Sequence, residues 1–308
     1  MKDRLKKHQR NEEVERLLKE LNSVLAVAEQ NLAVAYDVPK YPLVFVMGCA
    51  RSGTTLMMQW LADLGHFAYP SNLMSRFYDA PYVGAKIHKL LLELDDKKEV
   101  FASHESISFT SDLGKTKGAA SPHEFWYFWR RFFSFEEIQK LSEEALNQVK
   151  TSVFLQDLAK IEQVFNRPLA MKAMWMNWHI PFLAKLLPKA IFVFVKRESL
   201  YNENSLRQAR LNFYGNVETW YSFKPPEYVD LKEQDVDAQL KGQVFYTNQA
   251  IEQGLKEISR QNQLTVPYEG FCLNPKHTFE QLRVKMWNLG YNLPKSYEGE
   301  LAFACQNV

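Results

Sequence analysis

The stretch Gly48-Cys-Ala-Arg-Ser-Gly-Thr-Thr55 decides how the rest of the chain is read. It follows an apolar run, Tyr41-Pro-Leu-Val-Phe-Val-Met47, and leads into Leu56-Met-Met-Gln-Trp-Leu61. A short buried strand, a glycine-containing turn and a helix start make an anion site, because the first amides of a helix have no intrahelical partner. Gly53 lets the backbone approach an oxyanion, and Thr54 and Thr55 add hydroxyl donors. The spacing Gly48-x-x-x-x-Gly53 is that of a nucleotide phosphate loop, yet Thr54 stands where an NTPase places the lysine for its β- and γ-phosphates. The nearby cation is Arg51, two positions before Gly53. The plainer alternative is a tight strand-to-helix turn that binds nothing.

Working outward, strands are expected at 44–47, 169–174, 190–195 and 264–266, and helices over 54–64, 81–94, 180–187, 200–213, 242–261 and 275–289. Strands alternating with long helices imply an α/β parallel sheet covered on both faces, with ligands at the carboxyl ends of the strands. A largely helical insertion over about 71–165 interrupts the rhythm. It contains a Ser-, Gly-, Thr- and Lys-bearing loop over 97–120 and the segment Phe125-Trp-Tyr-Phe-Trp-Arg-Arg-Phe-Phe133. That segment reads either as a buried helix with its arginines reaching out or as a wall that stacks on a sugar or aromatic acceptor. Residues 3–36 read as one helix, charged early and apolar later. This arm (1–38) either packs on the domain formed by 39–308 or exchanges with a second copy in a homodimer.

Composition narrows the function. The chain has 308 residues, 46% hydrophobic and 14% aromatic, enough for a sizeable core. A net charge of +2 argues against a nucleic-acid coat. Cys49, Cys272 and Cys305 show no paired spacing for a disulfide framework or a zinc site. No signal-like segment opens the sequence and no apolar run is long enough to span a bilayer, so a cytoplasmic, reducing setting is expected.

Arg51-Ser-Gly-Thr-Thr-Leu56 resembles the 5′-phosphosulfate loop of sulfotransferases that use 3′-phosphoadenosine 5′-phosphosulfate (PAPS), a Lys or Arg followed by Ser-Gly-Thr-Thr/Ser. The resemblance implies a P-loop NTPase-like fold. It also implies that Arg51, Ser52, Gly53, Thr54 and Thr55 grip the 5′ side of this co-substrate, with no metal and no γ-phosphate lysine. The family holds the 3′-phosphate with an arginine at a strand end and a serine eight residues later; Arg197 and Ser205 match after the strand Ile191 to Val195. A guanidinium can take a phosphate bidentately, and the hydroxyl adds a donor. Lys172, His179, Val266-Pro-Tyr-Glu269 and Asn274-Pro275 extend the likeness over roughly 42–292, in the manner of bacterial and Golgi-type members. Lys172 is then expected to stabilise the transferring group or its leaving oxygen. Tyr201 and Trp220 are candidates for stacking on the adenine.

Sulfuryl transfer to an acceptor hydroxyl or amine needs in-line placement, charge stabilisation and a base. The family's glutamate often lies shortly after the loop helix, but Phe67-Ala-Tyr-Pro-Ser-Asn-Leu73 carries no carboxylate. The base is therefore open among His104, Glu105, His123 and Glu124, all in the insertion expected to roof the acceptor, a saccharide or small molecule. His66 and His88 read as helix-end or surface residues. Two rival readings are a P-loop kinase of a small molecule or nucleotide, and an inactive PAPS-binding protein.

Overall fold

The computed structural model describes residues 4–30, 32, 34–101 and 107–306. In chain order its elements are α1 (Glu12–Gln30), β1 (Val44–Met47), α2 (Thr54–Asp63), α3 (Pro81–His88), α4 (Trp126–Phe132), α5 (Glu143–Asn147) and α6 (Thr151–Phe165). There follow β2 (Ala170–Lys172), α7 (Ile180–Leu186), β3 (Ile191–Lys196), α8 (Ser199–Tyr214), α9 (Tyr228–Leu231), α10 (Val236–Lys256), β4 (Gln263–Pro267), α11 (Tyr268–Leu273) and α12 (Pro275–Asn288). The four strands form one parallel sheet in the order β2-β1-β3-β4, with Val44 opposite Ala170 and Ile191, and Val193 opposite Leu264.

Alternation along the strands divides the core in two. Phe45, Met47, Phe192 and Phe194 face the insertion, packing with Phe128, Trp129, Phe154 and Ile180. Val44, Val46, Ile191, Val193 and Val195 face α2, α11 and α12 through Trp60, Phe271 and Met286. Both faces are covered, which is why the strands read as continuous apolar runs.

The N-terminal segment departs from one long helix: a 3-10 turn at Lys6–His8 precedes α1. The Asn11 side-chain carbonyl causes the restart, accepting from the amides of Glu13 (3.0 Å) and Val14 (3.3 Å) as an N-cap. The segment packs on its own domain. Buried Glu29 accepts from the amides of Tyr82 and Val83 at 2.7 and 3.1 Å, and buried Asn22 bonds the Arg76 carbonyl at 2.8 Å. Val14, Leu17, Leu21 and Val24 remain exposed on the outer face of α1. The aromatic helix α4 begins only at Trp126, because Phe125 adopts a left-handed φ of 51°. Within the insertion, Phe125, Phe128, Trp129 and Phe133 are buried, while Arg130 is exposed. No helix among the described residues is long and apolar enough to cross a membrane.

Candidate active site

The Gly48–Gly53 loop joins β1 to α2 at the carboxyl end of the sheet. Gly53 caps α2 with φ 101°, and a Cβ there would lie 2.2 Å from the Tyr268 ring, so only glycine fits. Arg51 is also left-handed (φ 68°), a strained conformation for a residue with a side chain. Neighbouring elements hold the loop from behind: Asn177 donates to the Gly48 carbonyl (2.9 Å) and Asn202 of α8 to the Ala50 carbonyl (2.8 Å).

Two guanidinium groups meet over this loop. Arg51 Nε donates to Ser205 Oγ at 3.3 Å, and Arg197 Nη1 donates to the Arg51 carbonyl at 3.0 Å. Arg197 is only 5% exposed, lies 5.0 Å from the centre of the Tyr268 ring, and donates through Nη2 to the Gln306 carbonyl. Burial, with the Arg197 charge adding to it, lowers the Arg51 pKa from the ordinary arginine value, against opposing pulls from Tyr221, Tyr268 and Asp112. An anion placed between the two would relieve that repulsion.

Lys172 ends β2, where its buried ammonium donates to Thr55 Oγ1 (3.1 Å) and pairs with Glu124 Oε1. Glu124 reaches this point because its segment pairs with the one that follows α2. Pro122 bridges Ser71, and the His123 amide donates to the Pro70 carbonyl at 2.8 Å. A carboxylate, absent from Phe67–Leu73 in sequence, thus stands beside that segment in space from some fifty residues on. Burial alone would raise the Glu124 carboxyl; the Lys172 ammonium outweighs it and, with His123, holds the pKa below the ordinary carboxylate value. Glu124 keeps 37% of its side-chain surface open, toward the cleft it lines.

His123 lies beside Glu124 but is poorly set to take a proton. Burial pushes its imidazole down to about 4, and Nδ1 already accepts from the Phe125 amide at 2.9 Å. The neutral ring therefore carries its hydrogen on Nε2 and has no free lone pair. His104 and Glu105 lie outside the described residues. His179 Nε2 accepts from the Leu141 amide at 3.0 Å; the residue is buried at the N-cap position of α7 but its side chain does not cap the helix. His88 differs from a surface residue: it is 3% exposed, bonds Ser71 Oγ at 2.8 Å and packs between Tyr69 and Phe165.

A cleft of about 1430 Å³ brings Arg51, Gly53, Thr54, Thr55, His123, Glu124, Lys172 and Arg197 to one space. Ser205 stands behind Arg51 and touches the cleft through it. Ser52 is fully buried, its Oγ 2.5 Å from where a Cβ on Gly48 would stand, beneath the loop rather than in the cleft. Thr54 Oγ1 turns to Met174 Sδ at 3.2 Å, and its amide is one of the first in α2, which have no intrahelical partner. Trp220 lines the cleft but is clasped by Arg210 and Tyr228; Tyr201 does not line it. Tyr268, from the Val266–Glu269 stretch, lies beneath Gly53, and two further contributors carry no motif: the tail at Gln306, and Arg10 and Glu15 of the N-terminal segment. Among the described residues, no group of three or more His, Cys, Asp or Glu gathers to hold a metal ion.

Comparison with known proteins bears on this arrangement. No protein of curated function matches the sequence. Among solved structures, sulfotransferase STF1 from Mycobacterium tuberculosis aligns with a TM-score of 0.52 at 12% identity, over 91% of this chain and 74% of that one. Sulfotransferase STF9 from Mycobacterium avium aligns at 0.46 and 14% identity, over 89% and 71%. The sulfotransferase domain of the olefin synthase of Synechococcus aligns at 0.42 and 14%, over 87% and 81%. The STF1 match shows a common fold, a parallel sheet flanked by helices. The sequence profile of the sulfotransferase family matches residues 42–285, from the strand before the loop into α12, and the chain belongs to that family.

Proposed function

We propose that this sulfotransferase takes its sulfuryl group from PAPS and delivers it in line to a hydroxyl or amine of a saccharide or small molecule. The observation that carries this reading is the pair Arg51 and Arg197, converging over the N-terminus of α2 with Ser205 at 3.3 Å from Arg51. Helix amides and two guanidinium groups suit a ligand with separate 5′ and 3′ oxyanions. When bound, the co-substrate supplies an activated sulfuryl group and an adenosine bisphosphate leaving group.

The chain's own residues divide the remaining work. The α2 amides with Arg51 and Thr55 hold the sulfonate end, and Arg197 with Ser205 holds the 3′-phosphate. Lys172 faces the oxygen that gains charge as the sulfuryl group departs, where a fixed ammonium is most effective. Glu124 takes the acceptor proton. Its low pKa keeps it ionised, and it becomes a stronger base once Lys172 turns from it toward the sulfonate. His104 and Glu105 are the other sequence candidates for this proton transfer. A cytoplasmic setting, expected from the sequence, belongs to the same proposal.

Calorimetry with adenosine 3′,5′-bisphosphate, set against ATP plus magnesium, tests the donor half of the proposal. Tight bisphosphate binding is expected without metal. ATP binding that EDTA abolishes, with no bisphosphate binding, would overturn the proposal in favour of a kinase. Transfer of labelled sulfur from PAPS to a panel of saccharides and phenols separates an enzyme from a binding protein that has lost its chemistry.

A further inference from the structure

The cleft is far more cationic than the chain. Ten lysines and arginines line it against two carboxylates, Glu15 and Glu124, although the whole protein carries a net charge of only +2. Both carboxylates are already engaged, Glu124 by Lys172, and Glu15 by Arg10 at 3.5 Å and by the Tyr127 hydroxyl. Arg51, Arg197 and Lys172 serve the donor. Of the other seven, Arg4 and Lys115 lie over the Phe213 ring and Lys224 pairs with Glu137, while Arg10, Arg76, Lys117 and Arg130 belong to a second, largely helical wall.

Four separate segments assemble that wall. Arg10 lies 4.5 Å over the Trp126 ring and donates to Tyr127 OH at 3.3 Å; the Trp126 and Tyr127 rings stack at 4.1 Å. Asn72 brackets Lys117, donating to Thr116 Oγ1 at 3.0 Å and to the Gly118 carbonyl at 2.9 Å. Four residues after Asn72, Arg76 has its backbone tied to Asn22 of α1, and its charge reaches His123 next to Glu124. Arg130 is one turn along α4 from Trp126. Arg76, Lys117 and Arg130 are exposed and have no ion-pair partner among the described residues. Like charges gathered this way repel one another, so their self-energy falls when an anion arrives.

Resting on the sulfotransferase reading above, we infer that the acceptor carries an anionic group of its own. A phosphate, sulfate or carboxylate would be held by Arg76, Lys117 and Arg130, while a planar or sugar face lies on Trp126–Tyr127 and the hydroxyl to be sulfated points at Glu124. Aromatic faces bind the body of such a ligand, and the cations select its charge.

The test uses the full chain saturated with adenosine 3′,5′-bisphosphate, so that the donor arginines are occupied, and titrates in naphthyl phosphate, naphthoate and naphthol by calorimetry. The phosphate ester is expected to bind roughly ten-fold or more tighter than naphthol, the worth of one charge-assisted contact. That preference should fade with rising ionic strength. Naphthoate tells a carboxylate preference from one for a phosphate-type oxyanion, and either supports the inference. An Arg76→Ala/Arg130→Ala variant is expected to lose most of the preference while its bisphosphate affinity stays within about two-fold of the parent. Equal binding of the charged and neutral probes, including no binding of either, overturns the inference. So does a preference that survives in the double variant, or an equal loss of bisphosphate affinity. Failure of bisphosphate to bind the parent would remove the donor reading instead, and the same probes on the free protein would still decide whether the cleft selects anions.

Discussion

On the loop wall of the cleft, each cation is fixed from behind. Arg197 is buried against Tyr268 and bonded to the Arg51 carbonyl, Arg51 reaches Ser205, and the backbone beneath is tied by Asn177 and Asn202. On the helical wall, Arg76, Lys117 and Arg130 stand exposed on segments that come together only in the folded chain. The first wall is preorganised for one fixed oxyanion pattern. The second offers charge and aromatic surface with few directional constraints. On the proposed reading, one cleft combines a strict donor wall with an acceptor wall that tolerates change, because loop and insertion contribute separately to it.

Substitutions at the junction of the two walls should have the largest effect. Glu124→Gln preserves shape and removes the proton acceptor, so kcat is expected to fall ~100- to 10,000-fold, read as labelled-sulfur transfer, with bisphosphate affinity unchanged. A variant keeping most of its rate would return the role to His104 or Glu105. Next comes the loop wall alone. Arg197→Ala should weaken adenosine 3′,5′-bisphosphate binding roughly 10- to 100-fold by calorimetry, and Arg51→Ala comparably, from the loss of charge-assisted bonds. Equal weakening by Arg130→Ala would erase the distinction between the walls.

The pH dependence sharpens the junction further. The folded pKa of Glu124 lies below the ordinary carboxylate value, so its ion pair is fully present above the unfolded value and is lost as pH falls through the folded one. The acid limb of kcat/KM is accordingly expected below the usual glutamate range. In Lys172→Met burial prevails and the limb should move upward; an unmoved limb assigns it to another group. A last pair of substitutions concerns stability and backbone geometry rather than binding or rate. Gly53→Ala, facing the Tyr268 ring at 2.2 Å, should cost roughly 2–4 kcal/mol in denaturant melts. Gly65→Ala, with φ 69° and open space around it, should cost only about 1 kcal/mol.

The same contrast explains what could be read from the residues. The parallel sheet, the loop and the Arg197–Ser205 pair are written in local spacing, eight residues from a strand end into one helix or six in one turn, and apolar runs mark strands buried on both faces. Lys172 and Glu124 were each visible as candidates, but their pairing spans 48 positions and depends on the bridge from Pro122 to Ser71. No periodicity encodes such a contact. The capping at Asn11, which breaks the expected long helix, was present in the letters yet outweighed by the surrounding apolar spacing. Arg10 and Glu15 reach the cleft only because α1 is anchored through Asn22 and Glu29, whose polarity inside a helix face was the available clue.

The Gln306 carbonyl on Arg197 has a consequence for how binding is timed. A ligand that takes this guanidinium exchanges one acceptor for another, so its affinity reflects the difference between a carbonyl and a phosphate rather than the full strength of either. The residue before it, Cys305, is exposed, and Phe303 is tied to the Cys272 carbonyl at 2.7 Å. Displacement of the tail would thus be felt at a thiol already in place. The alkylation rate of Cys305, followed with and without adenosine 3′,5′-bisphosphate, makes that side chain a native reporter of occupancy.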